Sequence, residues 1–487
     1  MSQAVAGAPR TGHGKVIAAS LAAAVGAFLF GFDSSVINGA VDAINSGFGL
    51  SAFVKGFAVA IALLGCAAGA WYAGQLADRL GRKKVMLLGA VLFLASSIGS
   101  AFVGNIGELM FWRVIGGLGI GLASVISPAY ISEIAPARMR GGLTSINQLG
   151  ITIGIFAALL SDDLVQNSAG GASKATWLGI TAWRWMFLVG AVPALVYGVL
   201  SFLLPESPRY LVRVGETDGA RSVLKTMGDE APDHKMKAIK ESLQNEDRTS
   251  FADIAGDRFG LKPLVWVGIV LAALQQLVGI NAIFYYSTTL WRSVGFSDSD
   301  SFKTSVITAV INVAFTFVAL LFVDKVGRRL LLLVGSAGML VGLALASAAF
   351  FNASGSGKNI TLPHTWGIVA LIGANLFVIF FAATWGPVMW TLLSEMFPNR
   401  QRSYAIAICT AANWIFNFIV TVSFPWLSDR VGLGFVYGGF AAFALISYFF
   451  VRAMIPETNG TELEDMTGGT FRESTTTPTP TPEPTGR

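Results

Sequence analysis

The sequence predicts an all-α membrane protein: twelve transmembrane helices in two pseudo-symmetric six-helix halves, joined by a short cytoplasmic helical segment. Three observations lead there. Of the 487 residues, 53% are hydrophobic and 13% charged, where a soluble domain carries about a quarter charged residues. Apolar stretches of about twenty residues recur throughout, each long enough to cross a bilayer as a helix. The two halves also repeat short polar motifs in corresponding loops.

The first apolar run, KVIAASLAAAVGAFLFGF, has no small-residue cleavage site after it and reads as a retained span behind a cytoplasmic N-terminus, residues 1–16. In order, spans are expected at 17–40, 52–75, 85–104, 108–131, 143–165 and 183–204, then at 263–291, 302–323, 330–352, 365–393, 403–425 and 433–455. They form an N-terminal bundle, 17–204, and a C-terminal bundle, 263–455. Between them, in the polar segment 205–262, Ala220, Val223, Leu224 and Met227 recur at helical spacing, as do Met236, Ile239 and Leu243. Two surface helices are expected there. Residues 456–487 end in TTTPTPTPEPTGR and are expected to be a largely disordered cytoplasmic tail.

Basic residues orient the chain. Arg79, Arg82, Lys83, Lys84, Arg138, Arg140, Lys325, Arg328, Arg329, Arg400 and Arg402 fall in loops 2–3, 4–5, 8–9 and 10–11. The opposite loops hold fewer: Lys55, Lys174, Arg292, Lys303, Lys358 and Arg430. The positive-inside rule places both termini and the 205–262 segment in the cytoplasm. The same topology accounts for the basic pI near 9.2 without a nucleic-acid partner. Cys66 and Cys409 lie in apolar runs, and His13, His234 and His364 lie outside them. No metal cluster, disulfide framework or nucleophile–base pair is expected, and an enzyme is the least favoured class.

The repeat is explicit. SEIAPARMR at 132–140 matches SEMFPNRQR at 394–402, DRLGRKK at 78–84 matches DKVGRRL at 324–330, and GFD at 31–33 faces GIN at 279–281. Duplicated six-span halves mark a transporter whose substrate site lies between them near the midplane. Asp78, Arg79, Arg82, Glu133, Arg140, Asp324, Arg328, Glu395 and Arg402 gather at the inner helix ends. They are expected to form a charge network latching the halves together when that side is closed; topology-setting charge explains the basic members but not the repeated acids.

Within the spans, Asp33 is an acid in hydrocarbon and therefore a functional candidate, with a structural ion pair as the plain alternative. Counting along the helices puts Asp33 about seven residues from the outer end of span 1 and Arg113 about five residues into span 4. Those are similar depths, roughly 10 and 8 Å at the helical rise. A pair follows, and a carboxylate whose arginine moves during transport can alternate between holding and releasing a proton. Gln148, Gln275, Gln276, Asn281, Asn312, Asn413 and Asn417 are amides in apolar segments, with Trp390 and Trp414 nearby. Each alone serves equally as glue between helices. Together they suit a neutral polyol, which needs amide donors and acceptors and an aromatic face but no counter-charge. Gly279 and Gly386-Pro387 allow bending or exposed carbonyls, close helix packing being the alternative.

These residues resemble the sugar porter family of the major facilitator superfamily. The resemblance is carried by GQLADRLGRKK (74–84), PESPRYL (205–211), QQLVGIN (275–281), DKVGRR (324–329), WGPVMW (385–390) and PET (456–458). It spans about residues 17 to 460 and is strongest to bacterial proton–sugar symporters of the xylose and glucose kinds, with similarity also to human glucose facilitators. It implies the major facilitator fold and a sugar site lined by Gln148, Gln275, Gln276, Asn281, Asn312, Trp390 and Asn413, with Trp414 and Asn417 beside it. It also implies an outer gate at Tyr285 and Tyr286, and a proton-coupling pair in Asp33 and Arg113. Ile155 and Asn413 match glucose facilitators where the xylose symporter has glutamine, so the pocket reads as glucose-like and Ile155 as a specificity position. Ser403 and Asn459 are peripheral departures from the family pattern. The expectation is a monomeric proton-coupled hexose importer, most of all for D-glucose, working by alternating access in the plasma membrane. It needs no cofactor beyond the proton as coupling ion. The alternatives are an uncoupled facilitative uniporter, or a symporter for xylose, galactose or an inositol.

Overall fold

A computed structural model describes residues 11–135, 137–229, 231–246, 253–256, 260–293, 295–353 and 362–457. Among them, twelve helices are long and apolar enough to cross a membrane. Spans 1 to 6 are Gly14–Phe48, Ala52–Leu80, Arg82–Ala101, Ile106–Ile134, Ile146–Ala169 and Ala182–Leu203. Spans 7 to 12 are Pro263–Tyr285, Asp298–Val323, Arg328–Phe351, His364–Met396, Tyr404–Val431 and Leu433–Met454. The all-α membrane class holds, for the reason that governs any chain in hydrocarbon: only a helix satisfies its own backbone polar groups there.

Three elements differ from expectation. Span 1 continues to Phe48, two turns past the expected end, because Val41, Ala43 and Ile44 remain buried against neighbouring helices. Span 7 is broken where Gly279 takes a left-handed conformation (φ +86°). It ends at Tyr285, and a separate helix, Ser287–Ser293, follows. The Phe440 ring lies 2.5 Å from where a Gly279 Cβ would sit, so both backbone and space call for glycine. Among its described residues, the 205–262 segment carries three α-helices where two were expected. Thr217–Thr226 and Pro232–Glu246 hold the apolar stripes, and a short one, Pro208–Arg213, precedes them. It is pinned by an Arg213 Nη1–Asp78 Oδ1 ion pair at 2.5 Å and by Tyr210 Oη donating to the Arg79 carbonyl at 3.3 Å.

Span 10 opens into a π turn over Phe381–Trp385, just before Gly386-Pro387. Proline has no N–H to return to the preceding turn, so the ladder widens there. Spans 2 and 4 pack backbone on backbone through Gly65, Gly69, Gly117 and Gly121. Small residues permit that approach in a bilayer.

The turns between spans 2 and 3 and between spans 8 and 9 are built alike. Gly81 (φ +92°, ψ +162°) and Gly327 (φ +91°, ψ +148°) occupy a region open essentially to glycine alone. Beside each sits a carboxylate. Glu206 accepts the backbone N–H groups of Arg82 and Lys83 at 2.9 and 3.3 Å, and Glu457 accepts those of Arg328 and Arg329 at 2.8 and 3.1 Å. An acid at a helix N-terminus satisfies orphan donors and complements the dipole. Gly327→Ala is therefore expected to destabilise by about 1–3 kcal/mol, read as a lowered melting temperature in detergent. Gly439→Ala, with nothing within 4 Å of its added methyl, should leave it unchanged.

Candidate functional site

Spans 1 and 4 bring Asp33 and Arg113 together. Arg113 Nη1 donates to Asp33 Oδ1 at 2.6 Å and lies 3.5 Å from the Asp33 carbonyl, and both side chains are buried. Because span 1 is longer than expected, Asp33 lies deeper than end-counting suggests; direct packing of the two helices makes the pair regardless. The pair borders a cavity lined also by Phe30, Cys66 and Tyr285. Tyr285 comes from the second half, one turn after Asn281, so the ion pair faces the span 7 break.

Across that break the amides form one closed network. Gln276 Nε2 donates to Asn413 Oδ1 at 3.1 Å, and Asn413 Nδ2 donates to Gln275 Oε1 at 2.9 Å. Asn281 Nδ2 reaches back over Gly279 to Gln276 Oε1 at 2.6 Å. Gln275 Nε2 donates to the Trp385 carbonyl at 3.0 Å, which the π turn has made available. One turn after Asn413, Asn417 Oδ1 accepts from Thr421 Oγ1 at 3.1 Å. These amides are satisfied by one another, as buried polar groups must be. The arrangement can exchange amide–amide bonds for bonds to an array of hydroxyls.

Gln148, Asn312 and Trp390 share no hydrogen bond with the network. Gln148 extends from the first half toward span 10, its Nε2 3.8 Å from where a Gly386 Cβ would be. Asn312 is buried on span 8, while Trp390 is 37% exposed and fronts the accessible side of span 10. Trp414 meets Phe30 of the first half edge to face, with centroids 5.3 Å apart. The Ile155 backbone packs against Gly31 beside Asp33. Tyr286 donates to the Thr421 carbonyl at 3.0 Å and stacks on Phe424, while Tyr285 is buried at the cavity.

Among the described residues, the inner-end charge pairs that the structure shows lie within each half. Arg82 holds Glu133 bidentately through Nε and Nη2 at 2.8–3.2 Å, tying span 3 to span 4. Arg328 holds Glu395 at 2.9–3.1 Å, tying span 9 to span 10. Asp78 adds to the first cluster at 3.4 Å from Arg82. Arg402 donates to the Phe397 carbonyl at 3.2 Å, and Arg79 is exposed. The side chains of Arg140 and Asp324 lie outside the described residues.

Hydrogen bonds between the halves instead gather at the opposite end. Asn38 accepts the Thr288 N–H at 3.0 Å, and Asp42 accepts from Thr289 Oγ1 at 3.0 Å and Arg292 Nη1 at 2.9 Å. Sequence reasoning had singled out none of Asn38, Asp42, Thr288 or Thr289. It also passed over Glu206, Glu457 and Ser207, whose hydroxyl donates to Glu133. The shared Pro-Glu that follows the last span of each half was the available signal for the two glutamates.

A family model described as sugar (and other) transporter matches residues 19–468. A glucose transport protein of Synechocystis is 49% identical over 453 residues, covering 93% of this chain and 97% of that protein. The D-xylose-proton symporter of Escherichia coli is 34% identical over 484 residues, covering 93% and 95%. Among solved structures, the inward open conformation of the xylose transporter XylE from E. coli superposes with TM-score 0.79 at 34% identity, covering 93% of this chain and 99% of that one. XylE bound to 6-bromo-6-deoxy-D-glucose gives 0.77 at 35%, with 93% and 99% covered.

Breaking a buried ion pair from one side leaves an uncompensated charge, about 3–5 kcal/mol destabilising, whereas replacing both partners is far milder. Arg113→Met is accordingly expected to lower the melting temperature of the purified protein more than Asp33→Leu and Arg113→Met combined.

Proposed function

The chain belongs to the sugar (and other) transporter family, and from that premise we propose that it is a proton-coupled hexose importer, with D-glucose the preferred sugar. It works by alternating access in the plasma membrane, with both termini cytoplasmic, as a transporter and not an enzyme. The observation that carries this reading is the buried Asp33–Arg113 pair beside Tyr285, one helical turn from the amide network. A proton site and a hydroxyl-binding site thus lie next to each other, joined by the helix that carries Tyr285 and Asn281.

Ionised, Asp33 holds Arg113 at 2.6 Å and fastens span 1 to span 4. A proton arriving from outside neutralises the carboxyl, removes that attraction and frees span 1 to move. Sugar hydroxyls then take the places that Gln275, Gln276, Asn281 and Asn413 now give one another. Gln148 and Asn312 approach from spans 5 and 8, and the Trp390 face covers the sugar C–H surface. The bonds at Asn38–Thr288 and Asp42–Arg292 close the outer end behind the sugar, with Tyr285 and Tyr286 on the same broken helix as gate. The conformation described here is the inward-facing one on this reading, supported by those outer bonds and by the likeness to an inward open relative. In it the inner pairs, Arg82–Glu133 and Arg328–Glu395, stiffen each half separately. Release of the proton inside lets Asp33 recapture Arg113. An inward proton contributes about 2.3 kcal/mol per 100 mV, enough to concentrate a neutral sugar tens-fold.

Glucose as the preferred sugar is supported by Ile155 and Asn413 and by the 49% identity to a glucose transport protein. In proteoliposomes, Asp33→Asn is expected to abolish sugar-driven proton uptake and accumulation while retaining counterflow. Wild-type protein without sugar-dependent alkalinisation of the medium would instead be a uniporter. Gln276→Ala removes three network bonds and should weaken glucose binding by about 1–3 kcal/mol, roughly tenfold to a hundredfold in Kd. A thermal-shift panel checks the sugar: glucose should stabilise more than xylose, galactose or inositol, and no stabilisation by any hexose would overturn the assignment.

A further inference from the structure

Asp162 of span 5 is a second carboxyl inside the bundle, and the scheme above does not use it. It is fully buried, and its Oδ2 accepts the backbone N–H of Gly39 at 3.2 Å. Its Oδ1 has no hydrogen-bond partner among the described residues. The seat is shaped for the group: a Cβ on Gly39 would lie 2.6 Å from Oδ2 and 2.8 Å from the Asp162 Cβ, so only glycine lets span 1 receive it.

The ionisable side chains on the helices packed here have other partners. Asp33 and Arg113 hold each other, Asp42 holds Arg292, and Arg184 of span 6 donates to the Ala101 and Val103 carbonyls. Asp163 accepts from Asn167 and feels Lys303 of span 8. A sealed carboxylate with one hydrogen bond and no cation costs several kcal/mol, so in this packing the group holds a proton, and it can stand ionised only when the seam opens to water.

Its position gives that exchange a use. Gly39 lies six residues beyond Asp33 on span 1, about 9 Å at the helical rise. Ser35, four residues before Gly39 on the same stripe, buries an Oγ without a partner. Gln166, one turn beyond Asp162, buries an unpartnered Oε1, and Arg113 an unpartnered Nε. Unpaired buried polar atoms cost about 1–3 kcal/mol each and are scarce in folded proteins. Here they mark the seam of spans 1 and 5 from the Asp33–Arg113 pair toward the outer end.

We infer that Asp162 is a second protonation site of coupled transport, holding the proton between the outer end of the bundle and Asp33. A proton from outside bonds to an Asp162 carboxylate oxygen. When the seam of spans 1 and 5 opens, that O–H bond breaks and the proton bonds to an Asp33 carboxylate oxygen, leaving Asp162 ionised for the next cycle. One proton moves and no electrons do. The inference rests on proton coupling through Asp33.

The test uses the full-length protein. In infrared difference spectra with and without glucose taken in the Asp33→Asn background, which removes that carboxyl's own band, a protonated-carboxyl C=O band is expected and is absent once Asp162→Asn is added. In proteoliposomes, Asp162→Asn keeps an oxygen for the Gly39 N–H and should retain counterflow. Its uptake driven by outside acid should fall on the order of tenfold, with the pH profile moved to more acid values, and Asp162→Glu should restore both. A band unaffected by Asp162→Asn overturns the inference. So does wild-type acid-driven uptake in that variant, or loss of counterflow in the Asn and Glu variants alike, which makes the carboxyl a packing group. A wild type that moves no proton with sugar overturns the coupling reading and this inference with it, whereas a coupled wild type beside an unchanged Asp162→Asn overturns this inference alone.

Discussion

Among the described residues three guanidiniums are buried, each holds a carboxylate, and the fold is arranged around these pairs. Arg113 with Asp33 joins spans 1 and 4 in the interior; Arg82 with Glu133 and Arg328 with Glu395 join neighbouring spans at one end of each half. Arginine cannot shed its charge, so each pair obliges two helices to stay in register. The inner pairs are bidentate and further anchored by carbonyls, Ala77 for Arg82 and Val323 for Arg328. The interior pair uses a single nitrogen, Nη1, for the carboxylate. It is the one that a single proton on Asp33 can undo.

Duplication and divergence are both visible around these pairs. The ends of the halves kept the same construction to the level of single atoms: glycine turn, capping glutamate, arginine on the next span, glutamate one span further. The centres diverged. Where the first half has an acid on span 1, the second has a broken span 7 with Asn281 folded back on Gln276. Gly279 and the π turn before Pro387 are what make that possible, because each interrupts the backbone ladder and turns main-chain or amide groups toward one another. The two centres meet at Tyr285, which lines the cavity beside Asp33 and stands on the same short helix as Asn281.

Much of this was legible in the chain. Asp33 and Arg113 stand out because charges are expensive in apolar runs and their depths can be counted. The amides stand out because several fall in one half, and Asn413 and Asn417 share a face by i, i+4 spacing on span 11; the meeting of Asn281 with Gln276 depends on the break at Gly279. The third linker helix was not legible, since six residues are too few to show a period. Glu206 and Glu457 were legible only as the Pro-Glu shared by the PESPRYL and PET motifs, and their capping role was not, since a glutamate just past a span looks like ordinary interfacial polarity until its neighbours' N–H groups are placed. Asp162 escaped for a related reason. It stands next to Asp163 near a span end, and only packing tells the buried acid from the half-buried one.

The chain by itself determined the number of spans, the division into halves and the residues that had to be paired, because hydropathy, charge cost and repeat spacing are properties of local sequence. The tertiary structure decided which partners those residues took. The end charges could serve as a latch between halves or as struts within them, and the pairs seen here, Arg82 with Glu133 and Arg328 with Glu395, are struts. Between the halves the bonds fall instead on Asn38, Asp42, Thr288 and Arg292 at the other end. An alternating protein must have two sets of inter-half partners written into one sequence, and only a particular packing shows which set is made. The physical reason is that pairing across a movable interface depends on distance, and distance across that interface is the one quantity a linear sequence does not carry.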